Sequence, residues 1–387
     1  MSSFYIKDNV CTPYKLILSK LSGYLKANGW VEATSMDEAE TNIIGVCGAF
    51  HSLENDSFKL AEEAKDKNGS LVIFGCLPKI SPERIKEFKP RLVVPSSNWE
   101  QLEKIIAHPA VPLSKISEYS EFRTKEEYRL YDAGKRFVLI QTGCSSDCSY
   151  CPHKMGIGAL KSRKAEEILE QIKALVKENV HTIVLTGNDT GSYGTDAGAM
   201  TFPGLLREVL KIAPKVHLSQ LNPNWVYKYR QELYPLLMDE KIREFQVLIQ
   251  TVSPRLLKLM ERDPVVKRLG TFFRKVRKAR PDMLLRTDII IGFPTATAEE
   301  EMETLQFVAE LFDEVAVHGF ERFPHARLEK MDLPFFSQEE IDRRVDKALN
   351  FFKKCPRLLV HRGGQVYQTL IDIEKPKDYM RKERDAK

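Results

Sequence analysis

Three cysteines crowd into one short run, Cys144-Ser-Ser-Asp-Cys148-Ser-Tyr150-Cys151, set between Gly143 and Pro152. The apolar stretch before them, 137–142, reads as a buried strand, so the thiols occupy the loop leaving its C-terminal end. Thiolates spaced this closely can converge on one metal centre. Three are one fewer than a tetrahedral zinc or a fully protein-ligated iron–sulfur cluster takes. The pattern therefore suggests a [4Fe–4S] cluster with one iron open to a substrate or cofactor. A zinc site completed by His153, and chance clustering, are the alternatives at this point.

Three further cysteines, Cys11, Cys47 and Cys76, lie at the C-terminal ends of predicted strands near residues 3–7, 42–46 and 71–75. In an open parallel sheet those ends share one edge. Residues far apart in sequence are then expected to meet and hold a second cluster. Against this stands the use of cysteine as a small buried hydrophobe. Cys355, just before Pro356, has no companions and reads as structural.

The elements that must position these residues come in two series. Residues 1–125 alternate strands with helices: the pattern Leu16, Leu18, Leu21, Leu25, a helix over 57–67, a strand over 91–95 and a helix over 99–107 capped by Asn98. An N-terminal open parallel α/β domain is expected. A polar connector fills 108–135. From 133 to 330 the alternation has a longer rhythm, with strands at 137–142, 181–186, 215–219, 244–249, 284–291 and 314–318. The helical segments between them are 164–178, 202–212, 226–238, a broken 254–280, and 298–311. Six consecutive β/α units predict a partial (β/α)6 TIM-like barrel with function at the strand C-termini. Residues 331–387 are expected to add a charged helix over 338–354, with Ile341, Val345, Leu349 and Phe352 on one side. A strand-like stretch at 365–373 and a basic tail follow, too few residues after Gly364 for a complete β-barrel domain of about five strands.

Bulk composition sets limits. The 387 residues are 43% hydrophobic and 29% charged, ordinary for a globular protein. Lys and Arg number 59 against 54 Asp and Glu, a formal charge of only +5. Nucleic acid is permitted as a partner but not announced. No signal-peptide pattern or membrane-length apolar run is visible, so a cytoplasmic location without membrane association is expected. Seven cysteines, an odd number, do not read as a secreted disulfide framework.

The C-x₃-C-x₂-C run with Tyr150, ending the first strand of a six-unit barrel, resembles the signature of radical S-adenosylmethionine enzymes. With three N-terminal cysteines in an α/β domain, the chain is similar to the methylthiotransferases of that superfamily. Further echoes are Lys161-Ser162-Arg163, Leu185-Thr186-Gly187-Asn188-Asp189, Gln250-Thr-Val-Ser253, Met260-Glu-Arg262 and Thr287-Asp288 through Gly292-Phe293-Pro294. The resemblance implies that Cys144, Cys148 and Cys151 hold a [4Fe–4S] cluster whose open iron chelates S-adenosylmethionine. Cleavage of that cofactor would give a radical able to abstract hydrogen from an unactivated carbon. It further implies that Cys11, Cys47 and Cys76 hold an auxiliary [4Fe–4S] cluster handling sulfur, making two clusters in all.

On the same resemblance, Tyr150, Arg163, Thr186, Gly187, Asn188, Ser219, Gln250, Asp288 and Phe293 are expected to contact S-adenosylmethionine. Thr186-Gly187-Asn188 would receive its methionine part. Ser219, Gln250 and Arg163 would bond ribose or carboxylate, and Phe293 would lie under adenine. Three segments depart from the family: Cys11 is followed by Thr12-Pro13-Tyr14, Pro294 by Thr295-Ala296-Thr297-Ala298, and Gln250 by Thr251-Val252-Ser253. These departures and the short C-terminus point to a peptide or protein side chain as sulfur acceptor, with a tRNA base as the alternative. An electron donor such as flavodoxin or ferredoxin is implied. Other radical chemistry beside an auxiliary cluster, and a non-catalytic metal-binding module, are the remaining alternatives.

Overall fold

The computed structural model describes residues 2–116, 135–196, 198, 200–355 and 358–362. The 117–134 part of the connector, the boundaries placed within it and everything expected of 363–387, including the strand-like 365–373, lie outside them.

The N-terminal part is a parallel five-stranded sheet built from β1 (Ser3–Asp8), β2 (Val31–Glu32), β3 (Thr41–Val46), β4 (Ser70–Gly75) and β5 (Leu92–Pro95), in the order β2-β1-β3-β4-β5. All six residues of β3 are buried, as a central parallel strand covered on both faces requires. Phe4, Ile43, Ile44 and Phe74 form its core with Leu16, Ile17 and Leu21 of the helix Thr12–Ala27. That helix starts with Cys11 as its extended N-cap and Pro13 in the first turn, where a missing N–H costs nothing.

The second sheet has seven parallel strands in the order β14-β13-β12-β11-β10-β9-β6. These are β6 (Lys135–Leu139), β9 (Thr182–Thr186), β10 (Val216–Leu221), β11 (Ile242–Val247), β12 (Leu284–Ile291), β13 (Glu314–Gly319) and β14 (Leu359–Arg362). β7 (Gln141–Thr142) and β8 (Lys161–Ser162) make a separate antiparallel ribbon. Chain neighbours are sheet neighbours throughout, and β6 and β14 form the two edges, as in an incompletely closed barrel. Among the described residues no helix is long and apolar enough to cross a membrane.

Near the N-terminal ends of five adjacent strands lies a buried charged network. The Arg286 guanidinium contacts Glu244 and, at 2.6 Å, Glu314. His217 Nδ1 is 3.0 Å from Glu244 and His361 Nε2 is 3.0 Å from Glu314. Burial raises both carboxyls, but the neighbouring cations outweigh it. Glu314 is held at about 2, and Glu244 well below the usual carboxylate range.

Four local expectations differ. The strand foreseen over 137–142 is interrupted at Ile140, where the chain leaves the barrel for the ribbon. The helix foreseen over 99–107 is a 3₁₀ segment, Ser96–Ile105, and Asn98 sits at a kink inside it, accepting from Ser97 Oγ, instead of capping it. The helix foreseen from 57 starts a turn and a half earlier, at His51. β14 was not foreseen: it is four residues long and carries His361 and Arg362 in place of an apolar run.

Candidate metal centres and cofactor site

The loop bearing the first cysteine set is closed at its base by pairing of Gln141 with Ser162 and of Thr142 with Lys161. Gly143 has φ +73°, and a Cβ there would stand 1.9 Å from the Ala159 carbonyl oxygen, so the turn admits only glycine. Its N–H donates to Asn188 Oδ1 at 2.9 Å. Further along, Ser149 is clasped from two sides. Its hydroxyl donates to the Leu259 carbonyl at 2.6 Å and its N–H to the Met260 carbonyl, while its own carbonyl accepts from Leu328 N–H. The loop is thus tied to the rim of the barrel.

Its thiols perturb one another. Burial, then Asp189, pushes Cys144 up to about 11; burial, then Cys148, pushes Cys151 up to about 12. Thiols held protonated in this way deprotonate when a cation binds, so loading would release protons. Arg262 is buried beside them and donates to the Leu248 carbonyl at 2.9 Å. Burial works against its charge, but Tyr150, Cys148, Asp189 and Cys144 outweigh burial. Asp189, raised by burial to about 6, accepts from Trp225 Nε1 at 2.8 Å and Asn222 N–H at 3.3 Å.

Of the residues named for the cofactor, Thr186, Gly187 and Asn188 lie at the end of β9, Gln250 follows β11 and Phe293 follows β12, whereas Ser219 and Asp288 lie within β10 and β12. Tyr150 meets Phe293 edge-on, with ring centroids 6.4 Å apart, and Phe293 packs on Phe320. Thr186 ends β9, and at Gly187 an added Cβ would come within 2.9 Å of the Gln141 amide. Asn188 Oδ1 also accepts from the Tyr14 hydroxyl. Ser219 Oγ donates to the Leu185 carbonyl, and Gln250 bridges to Ile289 in a left-handed conformation, φ 65°. Asp288 is engaged by Gln246 Nε2 and lies 3.4 Å from His318 Nε2. The Arg163 guanidinium donates to the Leu139 carbonyl at 2.6 Å and to Gln171, toward the helix Ala165–Lys177.

The arrangement suits a polar cofactor. The Gln141 amide is fully buried, and both its polar atoms lack a hydrogen-bond partner among the described residues. It stands against the bare backbone of Gly187, near three thiols one ligand short of a complete set. A cleft of about 640 Å³ opens beside the loop between Ser146, Asn222, Trp225 and Arg262. Its charged lining is balanced: Asp147, Glu261 and Asp263 against Lys228, Arg230 and Arg262.

Of the N-terminal cysteines, Cys47 and Cys76 are brought together, their Sγ atoms within 4.8 Å of one another, while Cys11 is not in that group. Cys47 directly follows β3, Cys76 follows β4 and Cys11 caps the first helix. Gly48 N–H donates to Cys76 Sγ at 3.2 Å. Burial, then Cys76, pushes Cys11 up to about 12. Cys76 is raised by its hydrogen bond with Cys47 and by burial.

His153 does not complete a set with the cysteines it follows. Ligand atoms of Cys47, Cys76 and His153 all lie within 4.8 Å of one another, with His153 Nε2 3.9 Å from Cys47 Sγ. Sequence reading missed this pairing and the parts played by Gln141 and Trp225. Asp189 adjoins the Thr186-Gly187-Asn188 run, so the strand-end rule reached it; the buried Gln141 amide and the His153 contacts had no local signal.

Comparison with known proteins agrees with this geometry. The Radical SAM superfamily profile matches residues 138–308. The chain is 28% identical to a probable threonylcarbamoyladenosine tRNA methylthiotransferase of Archaeoglobus fulgidus, over 92% of this chain and 87% of that one. It is likewise 28% identical to the ribosomal protein uS12 methylthiotransferase RimO of Stenotrophomonas maltophilia, over 90% of this chain and 79% of that one. Among solved structures, the radical S-adenosylmethionine methyltransferase TsrM of Kitasatospora setae has a similar fold. Its TM-score is 0.62 at 15% identity, covering 85% of this chain and 77% of that one. A parallel α/β domain followed by a barrel with this cysteine loop on its first strand is an architecture the chain shares with TsrM, and the profile match over 138–308 supports binding of a [4Fe–4S] cluster and S-adenosylmethionine. Over most of its length the chain is similar to methylthiotransferases, and that similarity supports a transferase activity.

Proposed function

We propose that the protein places a methylthio group on a carbon of a protein side chain, working in the cytoplasm with a flavodoxin- or ferredoxin-like electron donor. In this reading residues 1–125 carry a second [4Fe–4S] cluster on Cys11, Cys47 and Cys76. Residues 133–330 carry the first, on Cys144, Cys148 and Cys151. When bound, these groups and S-adenosylmethionine supply the radical that opens a C–H bond, the sulfur and the methyl group. The observation that carries the reading is the packing of the segment beyond Cys151 against the N-terminal set. Gly156, a few residues beyond Cys151, would place a Cβ 2.4 Å from that of Cys76.

The chain's own residues would orient the cofactor. Thr186, Gly187 and Asn188 offer backbone and amide groups at the end of β9; Ser219, Gln250 and Asp288 lie on or just after the next three strands; Tyr150 and Phe293 give an apolar wall. Arg163, directed at Leu139 and Gln171, would take part in the site by holding the loop base.

Support for a protein acceptor is the balanced charge of the cleft beside the loop, since a nucleic-acid backbone favours a surface of one positive sign. The tRNA reading is favoured by the relative from Archaeoglobus fulgidus, which is as similar as RimO. Mass spectrometry of the proteome and of digested tRNA, from cells with and without the gene, tests both. A gene-dependent methylthio group on a peptide supports the proposal, and one confined to a nucleoside replaces it with the second reading. Its absence from both overturns the assignment.

A further inference from the structure

We propose that His318, with Asp288 beside it, receives the acceptor side chain and selects a carboxamide, whose N–H donates to Asp288 while its carbonyl oxygen accepts from His318 Nε2–H. The inference rests on the reading that the acceptor is a protein side chain, and it names the polar group held next to the reacting carbon.

Strand alternation puts both residues on one face of the barrel sheet. In β12, Arg286, Asp288 and Ile290 keep some exposure while the residues between them are buried. Register places His318 beside Ile290 and Gln246 beside Arg286, so they share that face. A polar row crosses four neighbouring strands there. Gln246 Oε1 accepts from Gln220 N–H and Gln246 Nε2 donates to Asp288 Oδ1, each at 3.3 Å, and Asp288 Oδ2 lies 3.4 Å from His318 Nε2.

The far end of this row is unfinished. The last separation is longer than a settled N–H···O bond. The Asp288 and His318 side chains keep 26% and 15% exposure, whereas His217 and His361 in the charged network keep 3% each. His318 Nδ1 is buried without a partner among the described residues. A proton on Nδ1 would be an unmade donor, so the proton belongs on Nε2, where Asp288 also favours it. A carboxylate oxygen and an N–H side by side match the donor and acceptor of one carboxamide. A carboxylate acceptor would meet Asp288 as a like charge.

The ring is bracketed by segments from both parts of the chain. Phe50, in the segment after Cys47, stacks on it with centroids 5.5 Å apart and planes 9° apart. The next residue, His51, is fixed to the barrel: its N–H donates to Glu321, and its Nε2 lies 2.9 Å from the Arg322 carbonyl oxygen. Just beyond His318, Phe320 packs on Phe293, which meets Tyr150 in the loop of the other cysteines.

The test returns His318→Ala, His318→Gln and His318→Asn to cells lacking the gene, and reads the methylthio group and the residue that bears it by peptide mass spectrometry. The same purified variants, reconstituted with iron and sulfide, are assayed for iron content and for cleavage of S-adenosylmethionine without acceptor. A glutamine amide stands in for Nε2 and an asparagine amide for Nδ1. The expected result is a methylthio group on asparagine or glutamine, reduced about tenfold or more by His318→Ala and His318→Asn and largely restored by His318→Gln. Iron and acceptor-free cleavage should stay within about twofold of the unaltered chain, since the lost bond is to the acceptor alone. Loss of cleavage in all three variants places His318 at the cofactor and overturns the inference. So does a methylthio group on an acidic residue or a nucleoside, product indifferent to His318, or rescue by asparagine instead of glutamine. No product from the unaltered chain overturns the proposed function together with this inference, whereas the other failures on a peptide leave that function standing.

Discussion

The hydroxyl of Tyr14 donates across 3.2 Å to Oδ1 of Asn188, joining the first helix of the N-terminal sheet to the end of β9. The same oxygen accepts from Gly143 N–H, at the entry to the cysteine loop. One amide thus ties together the α/β sheet, the barrel rim and the metal-binding loop. Tyr14→Phe removes a single donor and should cost about 0.5–1.5 kcal/mol. Asn188→Ala strands the Gly143 and Tyr14 donors together and should cost more, about 1–3 kcal/mol for each group left unsatisfied. Denaturant unfolding of the metal-free protein reads both, and equal losses would show that the shared acceptor is unimportant.

Substitution of the two cysteine sets should have different consequences. Cys144→Ala, Cys148→Ala and Cys151→Ala together should abolish reductive cleavage of S-adenosylmethionine. Cys11→Ala, Cys47→Ala and Cys76→Ala together should leave cleavage measurable while sulfur insertion stops. Product analysis by mass spectrometry, run beside an assay for methionine release, separates the two.

Acid should unfold the barrel through its charged network. Glu244 and Glu314 are depressed in the fold, so their contribution is complete above the unfolded value of about 4.3 and is lost as pH falls toward about 2. His217, pushed down by burial against the pull of Glu244, acts in the same direction as pH falls below about 6.5. Arg286→Met leaves both carboxylates without their shared cation and should cost about 3–5 kcal/mol. The acid midpoint followed by circular dichroism should move upward; an unmoved midpoint would remove the network from the account.

Gly156→Ala should reduce iron at the N-terminal centre, because the new methyl would overlap the Cys76 side chain with its nearest atom at 2.4 Å. Iron per chain should fall toward the content of a single cluster. Full iron loading would mean that the short helix His153–Ile157 shifts without consequence.

Much of this was readable in the chain. Apolar β-branched runs such as Ile289-Ile290-Ile291 and Ile43-Ile44 announce buried parallel strands, and a cysteine after each of β3 and β4 meets its partner because neighbouring parallel strands end together. β14 escaped because His361 and Arg362 serve the buried network and salt bridges to Asp342 instead of an apolar face. The surroundings of His153 were not legible for a different reason. Nearness to Cys151 in sequence offered a shared metal as an alternative, but Pro152 and the helix after it turn the ring toward residues more than seventy positions away. Proximity along the chain carries little weight where the backbone reverses within one turn.

The rim of the barrel holds residues in a posture they would not choose. Gln220 and Gln250, at the ends of neighbouring strands, have φ of 61° and 65°, a left-handed state that costs a side-chain-bearing residue about 1–3 kcal/mol. Glycine would relax either position, so Gln250→Gly should raise the unfolding temperature of the metal-free protein while lowering its affinity for S-adenosylmethionine. Stability and activity are therefore set against each other at that ring of residues. A search for hardier variants that ignored turnover would be drawn first to these strand-end glutamines.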